Sequence, residues 1–348
     1  MPVITRRALH ASAPVVAYWA TSNDGAKTVG SMLVDSMKVA CTAHDVAAPL
    51  NEDDGAIHPD TRTSLFLPSP VLADCVCAYV VRDTMDAKLS PKQSLSHLPV
   101  SPLVSVIWSI HGGRSPIQIG EDGLPPSSRR VVLRGPRTQP NVWQSHGPAA
   151  GFSLTFFPDA FHALTKLNVS SLLDQAKGLQ SVLDRDWQKM AIAVLKASDD
   201  LTRIQIVEAF LTPRWRSLRV QQPVTSLPDG LTLFNDWVDA VALRASASTL
   251  GQSTRQRERL IKGQLGLPMR SLRGLARMES ILTRGRKLNA FGGQPLVDVA
   301  YEMGFSDQAH LCREVKRYSG LNPTDLQFAI ETQESHWPYR LRQALKVR

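Results

Sequence analysis

Between Val71 and Pro158 the apolar residues come in short β-rich runs separated by Gly and Pro. "CVCAYVV", "LVSVIWSI", "RRVVLRG" and "GFSLTFF" are the clearest, and each predicts a strand. "HGGRSP" and "EDGLPPSS" read as the turns between them, so a sandwich or small barrel is expected over roughly 65–158. After Pro158 the apolar spacing changes to steps of three and four. "DAFHALTKL", "DRDWQKMAIAVLKAS" and "DDLTRIQIVEAFLTPRW" predict helices, with Asp residues placed to cap them. "VQQPVTSLPDG", 220–230, reads as a linker. Residues 1–58 show little periodicity and predict a poorly ordered or loosely attached segment.

Beyond the linker, "QPLVDVAYEMGFSDQAHLCREVKRYSGLNP" reads as helix, tight turn, helix. Leu296, Val299, Ala300 and Met303 form one stripe, with Pro295 at the first helical position. Gly304 suits a left-handed helix stop, and Ser306 or Asp307 can cap the following helix. On that second helix Leu311, Val315 and Tyr318 share a face, while Ala309, Arg313 and Lys316 lie opposite. This is the layout of a helix-turn-helix, whose second helix enters the major groove. A second copy precedes it. "LGQSTRQRERLIKGQLGLP", 250–268, has Gly251 as a stop, Ser253 as a cap, and Arg259, Lys262 and Gly266 at the spacing repeated by Arg313, Lys316 and Gly320. Between the copies, apolar residues at 272, 275, 278, 281 and 282 predict a helix of about 20 residues. Such a helix spans ~30 Å, close to the ~34 Å of one DNA turn.

Charge sharpens this picture. The net charge is +9 over 348 residues, and residues 241–348 hold 18 Lys and Arg against 9 Asp and Glu, leaving 22 of each before them. All the excess lies in the last third, which implies a polyanionic partner for that part alone. The residues expected at DNA are Arg255, Gln256, Arg259 and Lys262 in the first unit. In the second they are Gln308, His310, Arg313, Lys316 and Arg317. Arg255, Arg259, Gln308 and Arg313 are the candidates for base edges, Arg favouring guanine and Gln adenine. Cys41, Cys75, Cys77 and Cys312 lack metal or disulfide spacing, so no metal or cofactor and a reducing cytoplasm are expected. Cys75 and Cys77 are read on one face of a strand. No run approaches the ~18 apolar residues of a membrane helix, so no membrane partner is expected. His97, Trp108, His111, Trp143 and His146 are candidates to line a pocket, though aromatics on strands are more often core. No nucleophile–base pair or phosphate loop is present.

Residues from about 233 to 327 resemble the DNA-binding domain of the AraC/XylS family of bacterial transcription regulators. "VAYEMGFSDQAHLCREVKRYSGLNP" carries the resemblance, through Gly304, Phe305, Ser306, Gln308, Arg313, Lys316, Gly320 and Pro323. The first unit departs from the pattern at Arg257, where the family has an apolar residue, and at Ile261, where Phe is common. "LPVSPLVSVIWSIHGG" and "SHGPAAGFSLTFFPDA" resemble the family's sensor regions more loosely. The resemblance implies an α+β chain: a β-rich N-terminal sensor domain with a helical connector, then an all-α double helix-turn-helix DNA-binding domain. The expected divisions are 1–58, 59–225, 226–330 and a basic tail at 331–348. The implied function is a sequence-specific transcription regulator, non-enzymatic, answering to a small-molecule effector, with RNA polymerase contact and a homodimer among its partners. A bifunctional DNA-binding enzyme and an architectural DNA-binding protein are the alternatives.

Overall fold

The computed structural model describes residues 16–17, 54–116, 130–221, 234–247, 253–288 and 295–344. Among the described residues eight strands form one antiparallel sheet: β1 (Val16–Ala17), β2 (Arg62–Phe66), β3 (Val76–Asp83), β4 (Leu95–Leu98), β5 (Val104–Pro116), β6 (Val131–Arg134), β7 (Asn141–Phe156) and β8 (Ala176–Gly178). The order is β1-β2-β3-β7-β5-β6-β8, with β4 paired to the first part of β7. The edge strands β1 and β8 do not pair with one another, so the described strands make a curved sheet rather than a closed barrel.

"HGGRSP", expected as a turn, instead continues β5 against β7 from His111 to Pro116. The glycines serve a bulge rather than a reversal. Register shifts at Ser109/His111 and His111/Gly113, and Gly112 sits at φ +70°, where a Cβ would lie 2.4 Å from the Pro148 carbonyl oxygen. The "EDGLPPSS" turn lies outside the described residues, as does most of the 220–230 linker.

Alternation divides the two faces of this sheet. Val104, Val106, Trp108, Phe152, Leu154 and Phe156 are fully buried. They sit in one core with the helices α1 (Pro158–Thr165), α2 (Arg185–Lys196) and α3 (Asp200–Gln221). Ser105, Ile107, Ser109, Ser153 and Thr155 face the other way and line a cavity. A bulge between Val76 and Ala78 separates the two cysteines expected on one face. Cys75 is buried in the helix-side core, whereas Cys77 lines the cavity.

The remaining helices are α4 (Phe234–Ala247), α5 (Thr254–Leu265), α6 (Met269–Leu288), α7 (Leu296–Glu302), α8 (Gln308–Ser319), α9 (Pro323–Thr332) and α10 (Trp337–Ala344). Leu272, Leu275, Met278, Ile281 and Leu282 of α6 are all buried. At 20 residues, α6 is ~30 Å long. The stretch read as a basic tail contributes a single turn at 334–336 and then α10, whose Tyr339 and Leu341 are buried. Glu334 there is buried between Arg82 of β3 and Arg340, and Trp337 Nε1 donates to Ser96 Oγ of β4 at 2.9 Å. One continuous set of buried apolar side chains therefore runs from the sheet into the C-terminal helices. No described helix is long and apolar enough to cross a membrane.

Candidate nucleic-acid interface and an adjoining cavity

The second helix-turn-helix is α7, a turn, and α8. Gly304 closes α7 at φ +73°, and the Asp307 carboxylate caps α8 by accepting from His310 N at 2.6 Å. Leu311, Val315 and Tyr318 are buried against the rest of the domain. Gln308, Ala309, Arg313 and Lys316 are exposed. Arg317 is exposed too, but its guanidinium is bonded to Glu314 at 2.6 Å. His310 is half-buried, its Nδ1 3.1 Å from Ser306 Oγ and its ring edge-on to Phe305. Those contacts hold the ring at the helix entry.

In the first unit Ser253 and Gln256 form a reciprocal capping box at the start of α5, and Gly266 ends it at φ +76°. Leu265 is buried and Ile261 partly so, while Arg255, Gln256, Arg259 and Lys262 are exposed. The Gln256 side-chain oxygen is occupied by the Ser253 N–H at 3.0 Å. Gly251 and the Arg257 side chain lie outside the described residues. A feature absent from the sequence reading flanks α5. A cleft of about 490 Å³ separates Gln256, Arg259 and Gly263 from His162, Lys166 and Asn168 at the end of α1. The β-rich part thus abuts the first unit directly.

The cavity on the open face of the sheet measures about 420 Å³, within the range of small-molecule sites. α10 forms one wall with Trp337 and Leu341, and four arginines line it: Arg130, Arg134, Arg137 and Arg342. Of the five pocket candidates only Trp143 lines it. Trp108 is buried in the opposite core, donating to the Ala191 carbonyl at 3.1 Å. His97 stacks on His336 with centroids 4.4 Å apart, and His111 and His146 are exposed. The Ser-bearing alternation of "LVSVIWSI" and "GFSLTFF" was the signal for this wall, since one face is large and apolar while the other is small and partly polar.

Electrostatics tie the cavity to α8. Arg342 is bonded to Glu279 of α6 and donates to Tyr318 Oη at 2.8 Å; Tyr318 Oη donates to Glu279 at 3.0 Å. Burial acts to lower the Arg342 pKa, but Glu279, with the Tyr318 and Cys77 groups behind it, raises the net value above the ordinary one. Arg137 is compensated only in part, by Tyr339, Tyr318 and Asp174. Burial first, and then the neighbouring Arg342 charge, lower it to about 10. Its Nη2 donates to the Pro99 carbonyl at 2.9 Å, while its buried Nε has no partner.

The cap on α8 makes a testable titration. His310 N–H, followed by Ser306 Oγ–H, lowers the Asp307 pKa. Its stabilisation is therefore present above the unfolded carboxyl value near pH ~3.9 and is lost as pH falls through the lower folded value. Asp307→Asn retains an accepting cap without the charge. Urea midpoints of the two proteins should differ at pH 6 and converge at the acid end; a constant difference would show that the carboxylate's ionisation is irrelevant.

A family described as "Helix-turn-helix domain" matches residues 246–327, the span from the end of α4 into α9. No curated protein matches the chain. Among solved structures, ToxT from Vibrio cholerae is similar at 11% identity and a TM-score of 0.32, covering 68% of this chain and 94% of that one. Unsaturated fatty acid bound wild-type ToxT from Vibrio cholerae strain SCE256 gives 11% identity and a TM-score of 0.30, covering 72% and 95%. Likeness at that level carries no residue-by-residue correspondence. The family match and the two capped helix-turn-helix units coincide. The chain therefore carries an AraC-type helix-turn-helix domain at residues 246–327.

Proposed function

We propose that the protein is an AraC-type transcription regulator that reads a DNA site with both α5 and α8 and answers to a small molecule held in the cavity of its β-rich domain. The observation that carries the reading is the division of α8 into a buried apolar face and an exposed face bearing Gln308, Arg313 and Lys316. Arg313 makes no salt bridge among the described residues, so a guanine would not have to displace a protein carboxylate. Arg255, Arg259 and Lys262 repeat the arrangement on α5. Gln256 is the weakest of the candidates, because cap formation occupies its oxygen. Arg317 fits a phosphate contact better than a base contact, given its Glu314 partner. The β-rich domain supplies the sensing surface; a homodimer and a contact with RNA polymerase remain part of the proposal.

Base and phosphate roles separate experimentally. Arg313→Ala should lose ~1–3 kcal/mol of binding and relax preference at one base position. Lys316→Ala should weaken all sequences about equally and lower the salt slope by roughly one. Both are measured by titration against single-base variants of a site selected from a random duplex library. An Arg313→Ala profile parallel to wild type at every position would reject base reading by α8. Footprints should show two contact blocks about one helical turn, ~10.5 bp, apart.

A further inference from the structure

The cleft between α5 and the end of α1 carries charge of one sign. Lys166 and Arg259 stand on its opposite walls, and no carboxylate is among the described residues that line it. Both side chains are exposed, and neither has an ion-pair partner among the described residues. The amides add donors. The Gln256 side-chain oxygen accepts the Ser253 N–H at 3.0 Å, and the Asn168 oxygen accepts from Ser170 N at 3.0 Å and Ser170 Oγ at 2.7 Å. Their NH2 groups are left to donate. On the α1 side, His162 Nδ1 donates to the Leu167 carbonyl at 2.7 Å and fixes the loop that carries Lys166. The cleft is closed at one end, where a Cβ on Gly263 would lie 3.8 Å from Asn168 Oδ1 and one on Gly266 2.9 Å from Pro136 Cγ. Its mouth therefore opens toward the start of α5, where Gln256 and Arg259 are exposed.

We infer that this cleft seats one strand of the DNA backbone, so that the β-rich domain, through Lys166 and Asn168, grips a phosphate beside the groove that α5 reads. This rests on α5 being a reading helix. A helix lying in a major groove ~12 Å wide has a phosphodiester strand along each flank. Protein standing beside the exposed end of that helix therefore stands against a strand. Two cations facing one another repel, and a phosphate between them replaces the repulsion with charge-assisted bonds on both sides. A wall built to cover a basic reading face would carry carboxylates instead, since complementary charge is what holds such a cover down. The two walls keep their spacing because Trp237 of α4 donates to Asp159 of α1 at 2.8 Å, while α4 packs on α6. The contact fixes register on the duplex and carries no sequence information.

The test uses the full chain with the selected duplex and a scrambled one, titrated at several salt concentrations and followed by fluorescence anisotropy. Lys166 caps α1 at φ 61°, a conformation that glycine takes without strain. Lys166→Gly therefore removes the cation while the melting midpoint should hold or rise, which separates a lost contact from a lost fold. Its affinity should fall about fivefold on both duplexes alike, and the slope of log K against log salt should flatten by roughly 0.9. Lys166→Arg should restore both. A single methylphosphonate, moved along the strands that flank the α5 block, should locate the contact. At one position it should weaken wild type about fivefold and leave the affinity of Lys166→Gly unchanged. If the wild-type footprint holds only the α8 block, reading by α5 fails and this inference with it. If both blocks appear and Lys166→Gly keeps the wild-type affinity and slope, α5 reads DNA and the β-rich domain does not touch it. If Lys166→Gly binds more tightly at an unchanged slope, the wall obstructs the groove and the inference is overturned in favour of occlusion.

Discussion

Glu334→Ala is expected to lose ~3–5 kcal/mol of stability, because it leaves buried charges without their counterion. The Glu334 side chain is 1% exposed and the Arg82 side chain 7%. The same carboxylate lies 3.7 Å from Arg340 and accepts the His58 N–H at 3.0 Å. Removing it strands two guanidiniums whose pKa values burial already lowers. The urea midpoint should fall with little change in slope. Replacing both partners, Arg82→Met with Glu334→Leu, should recover a large part of the loss, since an apolar pair of similar size avoids the desolvation of either charge. A single-mutant loss below ~1 kcal/mol would mean that the site rehydrates and that α10 docks by its apolar side chains alone.

Trp237→Ala is expected to cost a similar ~3–5 kcal/mol through the cavity it leaves. Trp237 is 1% exposed on α4, stacks on Phe157 at 5.4 Å, and donates its indole N–H to Asp159 at 2.8 Å. Because α4 also packs on α6, this one side chain joins the β-rich domain to the helix between the two reading units. Trp237→Phe keeps the stacking and removes the donor, so it should cost ~1.5–3 kcal/mol, the value of one hydrogen bond to a charged group. Equal losses for the two variants would show that the bond rather than the packing anchors α4.

The helix-turn-helix units were legible because their information is local. Gly304, Asp307, Ser253 and Gly266 act on neighbours within four residues, and the apolar stripe of α8 repeats within one helix. The strong strands were legible for the same reason, through alternation. β2, β4 and β8 were not, since they are short and acquire their meaning from partners elsewhere in the chain. The glycines of "HGGRSP" pointed to a reversal, yet a long ladder with β7 overrode that local preference. α10 was the least legible element. Its decisive contacts are Trp337 with Ser96 and Glu334 with His58, 241 and 276 residues apart. Nothing nearby in the sequence distinguishes a docked basic helix from a solvated tail.

The placement of α10 also sets an order of assembly during translation. Domains fold as they emerge, N-terminal part first, so β2 to β8 are made while the wall of their own cavity is still unwritten. The sheet's lining, including Leu65 and Ala78, must wait uncovered until both reading units have been synthesised and Leu341 arrives behind them. A chain interrupted after residue 327 would contain the whole matched helix-turn-helix span and still leave that surface open. Premature products would thus present exposed apolar surface, which the arrival of α10 covers.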